Sequence, residues 1–188
     1  MEISKFAGRA GEKLEFALRK FGIDISGKIC ADFGSAVGGF VDCLLKHDAL
    51  KVYAVEKGYG VLDWKLRNNP KVIVLERTNA MHVVLPEKVD LVTVDVSWTR
   101  QENIIPNALK QLNDTGVIIS LIKPHYEAEK RLLKKGKLEE EQAEEVTLKT
   151  INKLKRFGVT SAGLEKSPIL GGKAGNAEYL AYLKPQKK

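Results

Sequence analysis

The sequence predicts an α/β protein with a mainly parallel sheet covered by helices on both faces. Three observations carry that prediction. Strand-like and helix-like segments alternate along most of the chain. A glycine-rich stretch, ADFGSAVGGF at residues 31–40, joins a strand to the helix that follows it. Two later apolar strands end on Asp95 and Lys123, the sheet edge where ligands gather in such folds.

The opening segment reads as a helix. Leu14, Ala17, Leu18 and Phe21 fall at i, i+3, i+4 and i+7 and form an apolar stripe. Lys13 lies at its border, about 100° round from Leu14. Residues 28–33 read as the first strand and 38–47 as the helix after it. Residues 51–56 form a second strand, 61–67 a short helix and 72–75 a third strand. Residues 89–95 (VDLVTVD) make a fourth strand, 103–112 a helix and 116–122 a fifth strand. Residues 127–137 (EAEKRLLKKGK) are polar and basic and read as a mobile loop. Residues 139–157 are the longest helix candidate, with Ala143, Val146, Thr150, Leu154 and Phe157 on one face. Its acids lie early and its lysines late, as the helix dipole favours. Strands at 159–165 and 177–183 complete the pattern. No repeat or linker divides the chain, so residues 1–188 are expected to form a single domain.

Composition excludes several classes. Hydrophobic residues make up 44% of the 188, enough for a full core and too many for a disordered chain. No apolar run approaches the roughly 18 residues of a membrane span, and residues 1–10 lack a signal-peptide layout. Cys30 and Cys43 suggest no disulfide framework, and with His47, His82 and His125 scattered, no zinc site is expected. Cytoplasm follows as the expected compartment. The net charge of +7 makes nucleic acid a plausible partner.

The glycine loop narrows the chemistry. Gly34 allows a turn where a Cβ would interfere, and Gly38 and Gly39 leave room for close backbone approach to a ligand. The spacing is not G-x-G-x-x-G, and no Gly-Lys-Ser/Thr follows, so neither a dinucleotide fingerprint nor a P-loop is present. S-adenosylmethionine, cationic at sulfur and free of phosphate, needs glycine room and acids. Asp32 and Glu56 end the first two strands, with Glu56 placed to accept from ribose hydroxyls. A tight turn with a glycine-rich helix start is the alternative. Asn79 reads either as an adenine contact or as a loop cap. Tyr59, Trp64 and Trp98 are candidates for base stacking, with core packing the expected place for Trp64. His125 and Tyr126 would shape an RNA pocket beside Lys123. Lys130, Arg131, Lys134, Lys135 and Lys137 form either a phosphate-contacting loop or a solvated charge run.

DFGSAVGGF resembles the cofactor loop of FtsJ-like ribosomal RNA 2′-O-methyltransferases. GRAGEKLEFAL, FVDCLL, WKLRNNPKVIVLERTNA, DLVTVDVSW, LIKPHYEA and GNAEYL together resemble the TlyA branch of that family, often labelled hemolysin-like. The resemblance runs from about Gly8 to Leu183. It implies a Rossmann-like S-adenosylmethionine methyltransferase fold with seven mostly parallel strands, the last antiparallel. It also implies that Asp32, Gly34, Ser35, Gly38, Gly39, Phe40, Glu56, Asn79 and Asp95 contact S-adenosylmethionine. A Lys-Asp-Lys-Glu catalytic tetrad then falls on Lys13, Asp95, Lys123 and Glu178. Ribosomal RNA or ribosomal subunits become the expected partner. The amino-terminal S4-like RNA-binding module usual in the branch is expected to be absent. Val37, Glu56 and Trp98-Thr99-Arg100 depart from the branch pattern and leave all four tetrad positions intact.

Those residue types suit methyl transfer to a hydroxyl. Reactants must be held in line at about 3–3.5 Å. Lys123 either takes the hydroxyl proton or stays charged and stabilises the forming alkoxide, with Asp95 orienting it. Glu178 would position Lys13 or the ribose. One other function remains open at this point, a non-catalytic RNA-binding or ribosome-assembly protein of the same fold; a membrane-active hemolysin has no amphipathic or spanning segment to support it.

Overall fold

The computed structural model describes residues 5–172 and 175–186. Seven strands form one sheet in the order β3-β2-β1-β4-β5-β7-β6. In chain order these are β1 (Ile29–Phe33), β2 (Lys51–Val55), β3 (Val72–Leu75), β4 (Val89–Val94), β5 (Leu112–Ile122), β6 (Val159–Lys166) and β7 (Tyr179–Pro185). Strands β1 to β5 pair in parallel, and β7 lies antiparallel between β5 and β6. The helices are α1 (Ala10–Phe21), α2 (Gly39–Lys46), α3 (Trp64–Arg67), α4 (Gln101–Gln111), α5 (Pro124–Glu127) and α6 (Glu140–Leu154).

Alternation along the strands builds two cores, one on each face. Cys30, Val52, Ala54, Leu91, Ile119 and Leu180 pack with Leu14, Leu44 and Leu66 of the first three helices. Ala31, Phe33, Val92, Val94 and Ile118 pack on the opposite face with Ile104, Ala143 and Leu154 of α4 and α6. Each fully buried Leu or Ile contributes about 1.5–3 kcal/mol, so this double layer fixes the strand order. The order reverses between β1 and β4, and a crevice opens there beyond the strand ends.

Four local readings differ from expectation. Strand β5 begins at Leu112, four residues early: Leu112 pairs with Val89, and the register then shifts before Leu91 pairs with Val117. Asn113 Oδ1 accepts from Thr115 N in that irregularity, so the turn-like NDTG lies inside a bulged strand. Helix α3 is a single turn, with Asp63 accepting from Lys65 N at its start. Its core position goes to Leu66, leaving Trp64 74% exposed instead of packed. Residues 127–137 are built: a 3₁₀ turn spans Lys130–Leu132, and Lys134 and Lys137 close a two-residue hairpin. The carboxyl-terminal part of the expected 139–157 helix tightens to 3₁₀ at Lys155–Phe157 before Gly158 ends it.

Among the described residues no helix is long and apolar enough to cross a membrane, and no cluster of His, Cys, Asp or Glu could hold a metal ion.

Candidate active site

The glycine loop leaves β1 and closes against β2. The amides of Gly34 and Ser35 both donate to Val55 O, at 2.9 and 3.1 Å. Gly34 has φ +89°, and a Cβ there would lie 2.7 Å from Asp95 O, so glycine is required by conformation and by space. Packing, rather than ligand room, accounts for Gly38: a side chain there would strike Leu66. At Gly39 the space is bounded by Gly8 O and Gly11 N, which lets α1 dock on the loop. Phe40 is buried beneath it.

Glu56 follows β2 and ties two loops together. Its Oε2 accepts from Ala36 N at 2.9 Å and its Oε1 from Gly58 N at 2.7 Å. Asn79 caps its own turn, Oδ1 accepting from Met81 N at 3.0 Å, and also lines the cleft. That cleft, about 350 Å³, is bounded by Gly34, Glu56, Lys57, Asn79, Met81 and Asp95. A smaller recess of about 150 Å³ shares Gly34, Asp95 and Ser97 with it and reaches Asp32, Ser35 and Lys123.

Asp32 lies wholly inside. Burial pushes its carboxyl up to about 8, with the carboxylates of Asp95 and Glu56 acting in the same direction and a Thr93 hydrogen bond opposing them. Thr93 Oγ1 donates to Asp32 Oδ1 at 2.7 Å, while Asp32 Oδ2 and Ser35 Oγ are buried without a partner. Buried polar atoms of this kind fit a polar, positively charged ligand in the recess.

The four proposed tetrad residues form two contacting pairs. Lys123 Nζ lies 2.6 Å from Asp95 Oδ1, an ion pair without hydrogen-bond alignment at that oxygen, and 3.4 Å from Ser97 Oγ. Lys13 Nζ donates to Glu178 Oε2 at 2.5 Å, and both residues are buried. The registers explain the meeting. Asp95 and Lys123 lie one step past the ends of β4 and β5, and Glu178 one step before β7. Ile122 pairs with Tyr179, so Glu178 falls opposite Lys123 across the antiparallel pair. Lys13 reaches Glu178 from α1.

Sequence reasoning missed three supports. Thr93 is a polar residue in the buried end of β4, two positions before Asp95. Gly171 backs Glu178 so closely that a Cβ would lie 2.0 Å from Oε1. Glu127 accepts from Gln101 N at 2.7 Å, capping α4 from α5, while Gln101 Oε1 accepts from Ser120 Oγ at 2.5 Å. At the mouth, Trp98 is 86% exposed with φ +59°, its ring centroid 4.9 Å from that of Tyr126. His125 lies against the same tyrosine, and burial holds its imidazole below the usual histidine range.

A mostly parallel seven-stranded sheet with one antiparallel strand inserted next to the edge, and acids at the carboxyl ends of its first two strands, defines a Rossmann-like S-adenosylmethionine-dependent methyltransferase. A model of the FtsJ-like methyltransferases matches residues 6–184, and the chain belongs to that family. It is 41% identical over 184 residues to Hemolysin A of Brachyspira hyodysenteriae, spanning 95% of this chain and 76% of that protein. It is 35% identical over 187 residues to the 16S/23S rRNA (cytidine-2'-O)-methyltransferase TlyA of Mycobacterium tuberculosis, spanning 96% and 69%. A solved chain from Streptococcus thermophilus, called a hemolysin, superposes with a TM-score of 0.94 at 33% identity. That match covers 100% of this chain and 70% of the other.

Proposed function

We propose that this protein methylates a ribose 2′-hydroxyl of ribosomal RNA, acting in the cytoplasm on ribosomal subunits or their RNA. The observation that carries the reading is the Lys123–Asp95 pair at the junction of cleft and mouth, with Glu178, opposite Lys123 at the start of β7, paired to Lys13 of α1. Asp32, Gly34, Ser35, Glu56 and Asn79 would hold S-adenosylmethionine, with Gly39 and Phe40 supporting the loop. The bound cofactor supplies an electrophilic methyl on a cationic sulfur.

Everything else falls to the chain's own groups. Asp95 holds Lys123 Nζ at the recess. From there Lys123 either receives the 2′-hydroxyl proton or, still charged, steadies the developing alkoxide. Glu178 anchors Lys13, which keeps a second cation near the same oxygen. Trp98 and Tyr126 offer an aromatic surface for the target base. The relatives' names make a cytidine the first nucleotide to test.

The test combines purified protein, methyl-labelled cofactor and ribosomal subunits, with the modified nucleotide mapped. Lys123→Ala is expected to lose turnover by about 10²-fold or more while S-adenosylmethionine affinity stays within twofold. Equal methyl incorporation in Lys123→Ala would exclude this lysine. RNA binding without incorporation by the unaltered chain would instead identify a non-catalytic protein.

A further inference from the structure

We propose that the Lys134–Lys137 hairpin is an RNA-backbone docking element, held in fixed relation to Lys123 and Glu178 by the Asn176 side chain. The inference rests on the RNA-methylating reading above and names how that site would grip its substrate.

The hairpin is closed on itself. Lys134 N donates to Lys137 O at 2.9 Å and Lys137 N to Lys134 O at 3.0 Å. Its central residues, Lys135 at φ +50° and Gly136 at φ +80°, form the left-handed pair of a type I′ turn. Asparagine or glycine suits the first of these positions, whereas lysine there costs about 1–2 kcal/mol. The strain puts a cation at the tip of a rigid turn.

Asn176 fastens that turn to the catalytic edge. Its side chain is 4% exposed, and both ends of the amide are used. Oδ1 accepts from Leu138 N at 3.0 Å, and Nδ2 donates to Gly136 O at 3.1 Å. Its main-chain oxygen accepts from Gly171 N at 2.8 Å, and Gly171 lies against the Glu178 carboxylate. Leu138 is buried at the base, so the hairpin has an anchor below and charge above. Lys134, Lys135 and Lys137 are exposed. Lys134 is 3.5 Å from Glu139, and among the described residues Lys135 and Lys137 have no carboxylate within ion-pair distance. Exposed lysines on a rigid turn, with no apolar side chain at the tip, fit a phosphodiester backbone better than a lipid surface, where a hydrophobic anchor would be expected.

The experiment has two arms on the full chain. The first titrates a short single-stranded RNA at rising KCl, comparing the unaltered chain with Lys135→Ala/Lys137→Ala. Each phosphate contact contributes about 0.7 to the salt slope. The double variant is therefore expected to lower the slope by about 1.4 and weaken binding about 25-fold at 0.1 M salt. A charge-matched control, Lys28→Ala/Lys184→Ala at the opposite end of the strands, should leave the slope in place. The second arm measures methylation of ribosomal subunits by Asn176→Ala. This variant keeps every lysine, so its salt slope should hold while its KM for subunits rises several-fold, with S-adenosylmethionine affinity retained. An unchanged slope in the lysine double variant, or an unchanged KM in Asn176→Ala, overturns the proposal. So does binding to phosphatidylglycerol vesicles that the lysine double variant loses while its RNA slope is unaltered. The slope is read without turnover, so a chain that binds RNA through the hairpin yet methylates nothing counts against methyl transfer alone.

Discussion

Asp32 couples the glycine loop to pH. Its carboxyl is raised from the ordinary 3.8 to about 8 by burial, so between those values the folded state holds a proton that the unfolded state has released. Stability contributed by this group is complete below about pH 4, falls as pH rises, and is lost above about pH 8. The slope from one such group is at most about 1.4 kcal/mol per pH unit. Melting curves from pH 5 to 9 should show the decline, and Asp32→Asn should flatten it; an unchanged slope in that variant would assign the proton elsewhere. Gly171 makes a second residue-scale case. Gly171→Ala forces a methyl into the Glu178 carboxylate, at an expected cost of about 1–3 kcal/mol. Turnover should fall while S-adenosylmethionine affinity is maintained, because neither Glu178 nor Gly171 lines the cleft or recess beside the glycine loop. An alanine variant with normal kcat would show that Glu178 needs no such backing. Neither residue's role was legible in the sequence. Asp32 showed as an acid at a strand end, but burial decides its protonation; nothing in the sequence tied Gly171 to Glu178.

At the level of elements, the joint between α4 and α5 has most to say about the site. Helix α4 has no cap of its own, since Arg100 makes no side-chain hydrogen bond there. Glu127 supplies it from α5, and so clasps the segment after Asp95 to the segment after Lys123. Burial raises the Glu127 carboxyl above its usual range, opposed by the Gln101 amide hydrogen bond. Glu127→Ala removes the cap at an expected cost of about 0.5–2 kcal/mol and should depress kcat more than KM. Glu127→Gln keeps an acceptor and should restore most of the turnover; equal loss in both variants would point to charge instead of position. The elements themselves were largely readable. All seven strands were expected within a few residues of their observed positions, because strands buried on both faces, such as β1, β2 and β4, read as short, nearly continuous apolar runs. The misreadings share a cause: polar or aromatic residues in short elements take their environment from distant partners. Trp64 is exposed because Leu66 fills the space beside Gly38, and the KKGK segment is fixed by Asn176, about 40 residues away.

For the molecule as a whole, the sheet explains why a site spread across the sequence forms at one place. Asp32, Glu56, Asp95 and Lys123 all sit at carboxyl ends of parallel strands, and that edge was visible from strand endings alone. Glu178 was not visible in this way. It begins a strand, and only the antiparallel direction of β7 brings a beginning to the edge where the others finish. Its pairing with Lys13 entered through family resemblance, because no local pattern connects a residue of the first helix to one before the last strand.

The placement of β7 also has a temporal side. It fills the gap between β5 and β6, so during synthesis a ribosome must release those late residues before β5 gains its second neighbour and β6 its first. Until then the nascent chain presents two raw sheet borders and an unneutralised Lys13 in an apolar setting. Completion of the fold and arrival of the fourth charged group are thus one event, and an early stop ahead of Glu178 would leave a chain for quality control to clear, not a weakened enzyme.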